Sequence, residues 1–167
     1  VSQISQFYVP QQALKPGKEM EDLAAKLWSL GLPFMDLPEF GDLPDDVYEI
    51  ELIYENMAIV FSEFGDPVPN QISDLRCPHC DKDVMKEAYK VWQEQGTTIP
   101  TEQRTFACSG CAQPLSGKGL KSTEPFTFAT CYLYVSEIDP DLWPGEEVRA
   151  NIESVLGPCA EYRETEW

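Results

Sequence analysis

Histidine is almost missing from this chain. Its 167 residues hold one, His79, beside six cysteines. With a single histidine, no Ser-His-Asp or Cys-His arrangement can be built except around His79 itself. Positive charge is also scarce, 12 lysines and arginines against 29 aspartates and glutamates, for a net of −17. No apolar run approaches the ~18 residues of a membrane span. Neither G-x-G-x-x-G nor G-x-x-x-x-G-K occurs, so no glycine-rich phosphate loop is expected. The sequence starts Val1-Ser2-Gln3-Ile4 with no basic stretch followed by an apolar core, and a cytoplasmic, reducing setting is therefore expected.

What the chain does hold is a pair of cysteine knuckles. Cys77-Pro78-His79-Cys80 is followed, 27 residues on, by Cys108-Ser109-Gly110-Cys111. Two C-x2-C pairs present four thiolates to one tetrahedral ion. In a reducing setting, metal is expected here before disulfides, and before a thioredoxin-type redox pair. A site of Cys77, Cys80, Cys108 and Cys111 is coordinatively full, whereas a catalytic zinc keeps a position open for water. One structural Zn²⁺ is therefore expected, with iron as the alternative. His79 lies between knuckle cysteines, where its side chain is expected to face solvent. Cys131 and Cys159 are expected as buried or half-buried free thiols.

The rest of the chain reads as α+β. Strand patterns cover 6–10, 47–54 and 126–138, with 57–61 a continuation or hairpin partner of the second and a last strand from Cys159. One helix is expected from Pro16-Gly17 to Leu30, with Met20, Leu23, Leu27 and Leu30 on one face and Gly31 as cap. A second runs from Pro144-Gly145 to Leu156, with Val148, Ile152, Val155 and Leu156 inward and Gly157 as cap. The matched Pro-Gly starts and glycine ends suggest two β-α-β halves. The element order resembles the ferredoxin-like β-α-β-β-α-β sandwich, which implies a sheet ordered 4-1-3-2, with the knuckles inserted between its second and third strands. Two domains are expected: 1–70 with 122–167 as the sandwich, and 71–121 as the metal insertion. Inside the insertion, Asp81 or Asp83 can cap a helix over 84–93, and 105–107 forms a short strand.

The knuckles resemble those of zinc ribbons and of rubredoxin, their iron-binding cousin, over about a quarter of the chain. Asp81 and Ala112 stand where those families usually place glycine. Fewer close amide contacts to sulfur, and zinc before iron, are expected on that account.

Charge is unevenly spread. Residues 76–121 hold seven basic and five acidic residues, net +2, and the remainder holds five basic and 24 acidic, net −19. So acidic a body repels nucleic acid and attracts basic proteins. Lys82, Lys86, Lys90 and Arg104 form the only basic group a nucleic acid would find. The function expected is a non-catalytic interaction protein, concretely an immunity or antitoxin-type inhibitor of a basic partner. Its candidate surfaces are the acidic loop with Asp36, Glu39, Asp42, Asp45 and Asp46 and the strand face with Glu49, Glu51 and Glu55. The rival expectation is a redox or electron-transfer metalloprotein.

Overall fold

The computed structural model describes residues 3–12, 49–54, 57–141 and 145–166. The expected first helix, the acidic loop and Glu55 lie outside the described residues, as do the side chains of Glu49 and Glu51. The architecture is mixed α+β with antiparallel pairing. Its larger sheet has five strands, β1 (Gln3–Pro10), β2 (Glu49–Tyr54), β3 (Met57–Val68), β6 (Thr127–Ile138) and β7 (Cys159–Glu166), in the order β2-β3-β6-β1-β7. A smaller sheet pairs β4 (Thr105–Ala107) with β5 (Pro114–Ser116). The described helices are α1 (Met85–Trp92) and α2 (Gly145–Leu156), with a 3-10 turn at Thr101–Gln103. No helix among the described residues is long and apolar enough to cross a membrane.

Five strands appear where the sequence suggested four, because β2 and β3 are separate arms of a hairpin, paired from Glu49–Ser62 to Tyr54–Met57. β3 also runs on through Gly65-Asp66-Pro67, residue types that elsewhere mark turns. Gly65 takes φ 88° there, a conformation glycine adopts without strain, so the irregularity is absorbed within the strand. The metal segment accordingly leaves the chain after the third strand of the five.

The chain divides into two compact units, Val1–Ser62 with Thr130–Trp167, and Glu63–Ala129. In the first, β1 is hydrogen-bonded on both sides, to β6 and to β7, both antiparallel. That central place explains why its interior is buried on both faces, with Phe7 and Tyr8 almost wholly covered and Ser5 and Gln6 with them. Phe7 stacks on Tyr134 of the paired strand at 5.7 Å. Helix α2 buries Val148 and Ile152 at the expected spacing and ends where Gly157, at φ 76°, donates its N–H to the Glu153 carbonyl at 2.9 Å. Arg149 on α2 binds Glu153 at 2.8 Å, Glu161 of β7 at 3.0 Å and the Cys159 carbonyl at 3.1 Å. Because β1 lies between β6 and β7, Cys131 and Cys159 stand on non-adjacent strands, and both are buried and outside any disulfide.

The second unit is built on α1. Asp83 accepts the Met85 N–H at 2.9 Å, opening the helix as the sequence suggested. Val84, Ala88 and Trp92, four residues apart, form its buried face and meet Ile72, Leu75, Leu115 and Leu120. Tyr89 donates its hydroxyl to the Asn70 carbonyl at 2.7 Å and accepts the Ile72 N–H at 3.0 Å, fixing the preceding loop. Arg104 closes the helix. It is 7% exposed, and it donates to the carbonyls of Trp92 at 2.9 Å, Ile99 at 3.0 Å, Val91 at 3.3 Å and Glu94 at 3.4 Å. A cation there also meets the negative end of the helix dipole. The sequence grouped Arg104 with an accessible basic face, and the structure removes it from that face because these four carbonyls draw it inward.

Arg104→Met keeps the apolar stem and deletes every donor. It is expected to destabilise the second unit by about 2–4 kcal/mol, the cost of leaving buried carbonyls unpaired. Equilibrium denaturation with hydrogen exchange at the α1 amides reads this directly; an unchanged midpoint would mean that water satisfies the carbonyls.

Candidate metal centre

The two knuckles are built alike. In the first, Cys77 donates its N–H to the Lys82 carbonyl at 2.9 Å and accepts the Asp81 N–H on its own carbonyl at 3.0 Å. In the second, Cys108 N–H reaches the Gln113 carbonyl at 2.9 Å, and Ala112 N–H reaches the Cys108 carbonyl at 2.9 Å. The turn is left-handed at the residue after the second cysteine of each knuckle, Asp81 at φ 63° and Ala112 at φ 61°. Glycine takes that conformation freely, whereas other L-residues are strained by roughly 1–2 kcal/mol.

The expectation that losing the glycines would cost amide contacts to sulfur is not met, because Asp81 and Ala112 adopt the glycine conformation. His79 N–H lies 3.4 Å from Cys77 Sγ, and Gly110 N–H lies 3.3 Å from Cys108 Sγ. The amides of Lys82 and Gln113 favour the thiolates of Cys80 and Cys111, and the Cys111 amide adds to the effect of Gly110 on Cys108. The first sulfur of each knuckle thus accepts a backbone amide, and the second has one acting on it.

All four sulfurs lie within 4.8 Å of one another. Across the knuckles, Cys77 and Cys111 are 3.8 Å apart, and Cys80 and Cys108 are 3.5 Å apart. A tetrahedral ion with metal–sulfur bonds of about 2.3 Å separates its ligands by about 3.8 Å, so these residues fit one ion nearly as they stand. Zinc and iron both accept this donor set. Cys77 and Cys108 belong to the buried core of the unit, while Cys80 is exposed and Cys111 half-buried. The His79 side chain is exposed and outside the cluster; its amide is the group that serves the site.

The knuckles rest on a clasp that ties the two ends of the segment together. Arg76 and Lys121 exchange backbone hydrogen bonds at 2.8 and 3.0 Å. Asp74 accepts from the Thr123 amide at 2.9 Å, the Thr123 hydroxyl at 3.1 Å, Arg76 Nε at 3.1 Å and the Ser122 hydroxyl at 3.3 Å. The Thr123 amide foremost holds the Asp74 carboxyl below its ordinary range. No motif marks Asp74 in the sequence, and Gly110 was equally unremarked; the only sign of either is its nearness to a knuckle.

The thiols are unequal. The amides of Cys111 and Gly110 draw Cys108 down to about 6. The Lys82 amide acts in the same sense on Cys80, but burial and the neighbouring thiols outweigh it and push Cys80 up to about 11. Cys111 is raised too: the Gln113 amide is outweighed by burial and by Cys108. At neutral pH the metal-free site therefore holds protons on Cys80 and Cys111 and a thiolate on Cys108.

Two outcomes follow from this geometry. Ala112→Gly relieves roughly 1–2 kcal/mol of left-handed strain and adds about 0.4–1 kcal/mol of unfolded-chain entropy. A net gain of up to about 1.6 kcal/mol is expected in denaturant titration of the metal-loaded protein. Asp81→Gly is expected near neutral, since aspartate tolerates this conformation better and its removal costs an ion pair with Arg76 at 3.0 Å. The second outcome concerns pH. An ion needs all four thiolates, so the loaded state holds fewer protons than the free one, and affinity rises with pH. With the protons of Cys80 and Cys111 among those displaced, the apparent dissociation constant should weaken by at least about a hundredfold per unit as pH falls from 8 to 7. Competition with a calibrated chelator measures the slope; a flat profile would remove this protonation pattern. No family model, no curated protein and no solved structure matches the chain.

Proposed function

We propose that this is an acidic, cytoplasmic, non-catalytic interaction protein, stapled by one structural zinc and acting as an immunity or antitoxin-type inhibitor of a basic partner. The separation of charge carries the reading: net −19 outside residues 76–121 against net +2 within them. Such a distribution speeds encounter with a cationic protein and discourages nucleic acid. The four-sulfur site supports a structural part for the metal, since it leaves no position for water or substrate. Zinc is favoured over ferrous iron by the general affinity order of divalent ions. For the main body we retain the ferredoxin-like reading. The run β7-β1-β6-β3 supports it if β3 takes the place of the second strand and β2 is an extra edge strand.

The test is retention from native host lysate by zinc-loaded protein, beside a variant with Asp36, Glu39, Asp42, Asp45 and Asp46 changed to their amides. One basic protein, held stoichiometrically by the first and lost by the second, is the expected result. Equal retention by both would count against the acidic loop as the docking surface.

A second reading, electron transfer at iron, is favoured by one observation, the amides bonded to Cys77 and Cys108. Such hydrogen bonds tune the potential of a thiolate-bound iron. A red protein with reversible one-electron chemistry would establish it, and a colourless protein holding one tight zinc would remove it.

A further inference from the structure

We propose that the Lys82 side chain is the cover of the metal centre, lying across Gly110 and against Cys80 and setting how fast the site exchanges its ion with dissolved ligands. The inference rests on the four-cysteine metal site described above and concerns a residue that is not itself a ligand.

The observation is a convergence of atoms at Gly110. A Cβ placed on that glycine would come within 2.9 Å of Lys82 Cδ, 3.1 Å of Cys80 Sγ and 3.4 Å of Lys82 Cβ. The stem of Lys82 and the sulfur of Cys80 thus share one patch of the opposite knuckle, and only a residue without a side chain leaves room for both. The backbone of Lys82 is fixed at its carbonyl, which accepts the Cys77 N–H at 2.9 Å. With the main chain so held, the stem is directed over Gly110. No salt bridge among the described residues holds its ammonium, in contrast to Arg76 and Lys121, which both pair with Asp81. What orients Lys82 is therefore contact along its carbons, the common behaviour of a lysine that covers apolar surface while its head stays in water.

The position matters because the four ligands are not equally reachable. Cys77 is fully buried and Cys108 is 3% exposed, while Cys80 is exposed. An ion held by the four sulfurs would be met by a chelator first at the Cys80 side. Groups just outside the ligand set control solvent access to a metal, and the Lys82 stem is such a group at this edge.

The test is the rate of metal loss from the full-length, zinc-loaded chain to 1,10-phenanthroline, a neutral chelator on which the lysine charge exerts no steering. Lys82→Ala is expected to release zinc about three- to tenfold faster, near the low end of outer-shell effects at metal sites. Lys82→Met, which keeps an apolar stem without the charge, is expected to release it at the wild-type rate. An unchanged rate in Lys82→Ala, or Lys82→Met as fast as Lys82→Ala, overturns the cover. A purified chain that binds neither zinc nor iron instead overturns the metal reading beneath it.

Discussion

Two of the four sulfurs that can hold an ion are also members of the hydrophobic core. Cys77 and Cys108 are packed with Leu75, Val84, Ala88 and Leu115, so the segment cannot form its core without bringing the sulfurs together. Thiolates gathered so closely repel one another, and an ion at their centre converts that repulsion into attraction. Between the ends of β3 and β6 the unit's own elements are short: a helix of eight residues, a 3-10 turn and two strands of three. Helices so short are marginal in water and two-stranded sheets little better. An ion bound by the four sulfurs would add its binding energy to folding here.

The clasp and the helix lock serve the same constraint from outside. Asp74 joins residues 122 and 123 to Arg76 just before the first knuckle, so the segment's two ends are held before the ion is considered. Arg104 gathers four carbonyls at the far end of α1. Arg104 meets backbone carbonyls alone, and Asp74 adds an amide and two hydroxyls to its ion pair with Arg76. They are accordingly less sensitive to salt than exposed pairs such as Arg76–Asp81.

Much of this was legible in the residues themselves. The knuckle spacing picked out the four cysteines that the fold gathers, the 84-88-92 repeat named the inner face of α1, and Gly157 named the end of α2. In each of these the local pattern is the whole cause. What escaped was decided by distant partners. The length of β3 hid behind Gly65 and Pro67, since glycine and proline mark turns only when no neighbouring strand holds them in line. Arg104 read as surface charge because its acceptors are carbonyls, which no side-chain pattern announces. The missing knuckle glycines suggested lost amide contacts, and the backbone kept those contacts by straining two other residues.

Those two residues are not equivalent. Asp81 uses its side chain: its carboxylate meets Arg76 at 3.0 Å and Lys121 at 4.0 Å, joining the first knuckle to both strands of the clasp. A glycine would relax the turn and lose that connection, so the departure from glycine has a local reason. Ala112 is exposed, and nothing in the structure explains its place there. Its left-handed turn is held by the Cys108 carbonyl at 2.9 Å. Beside it the Ser109 hydroxyl donates to Glu87 of α1 at 3.0 Å. The second knuckle is thus anchored to the helix by a neutral donor, whereas the first is anchored to the clasp by an ionic tie.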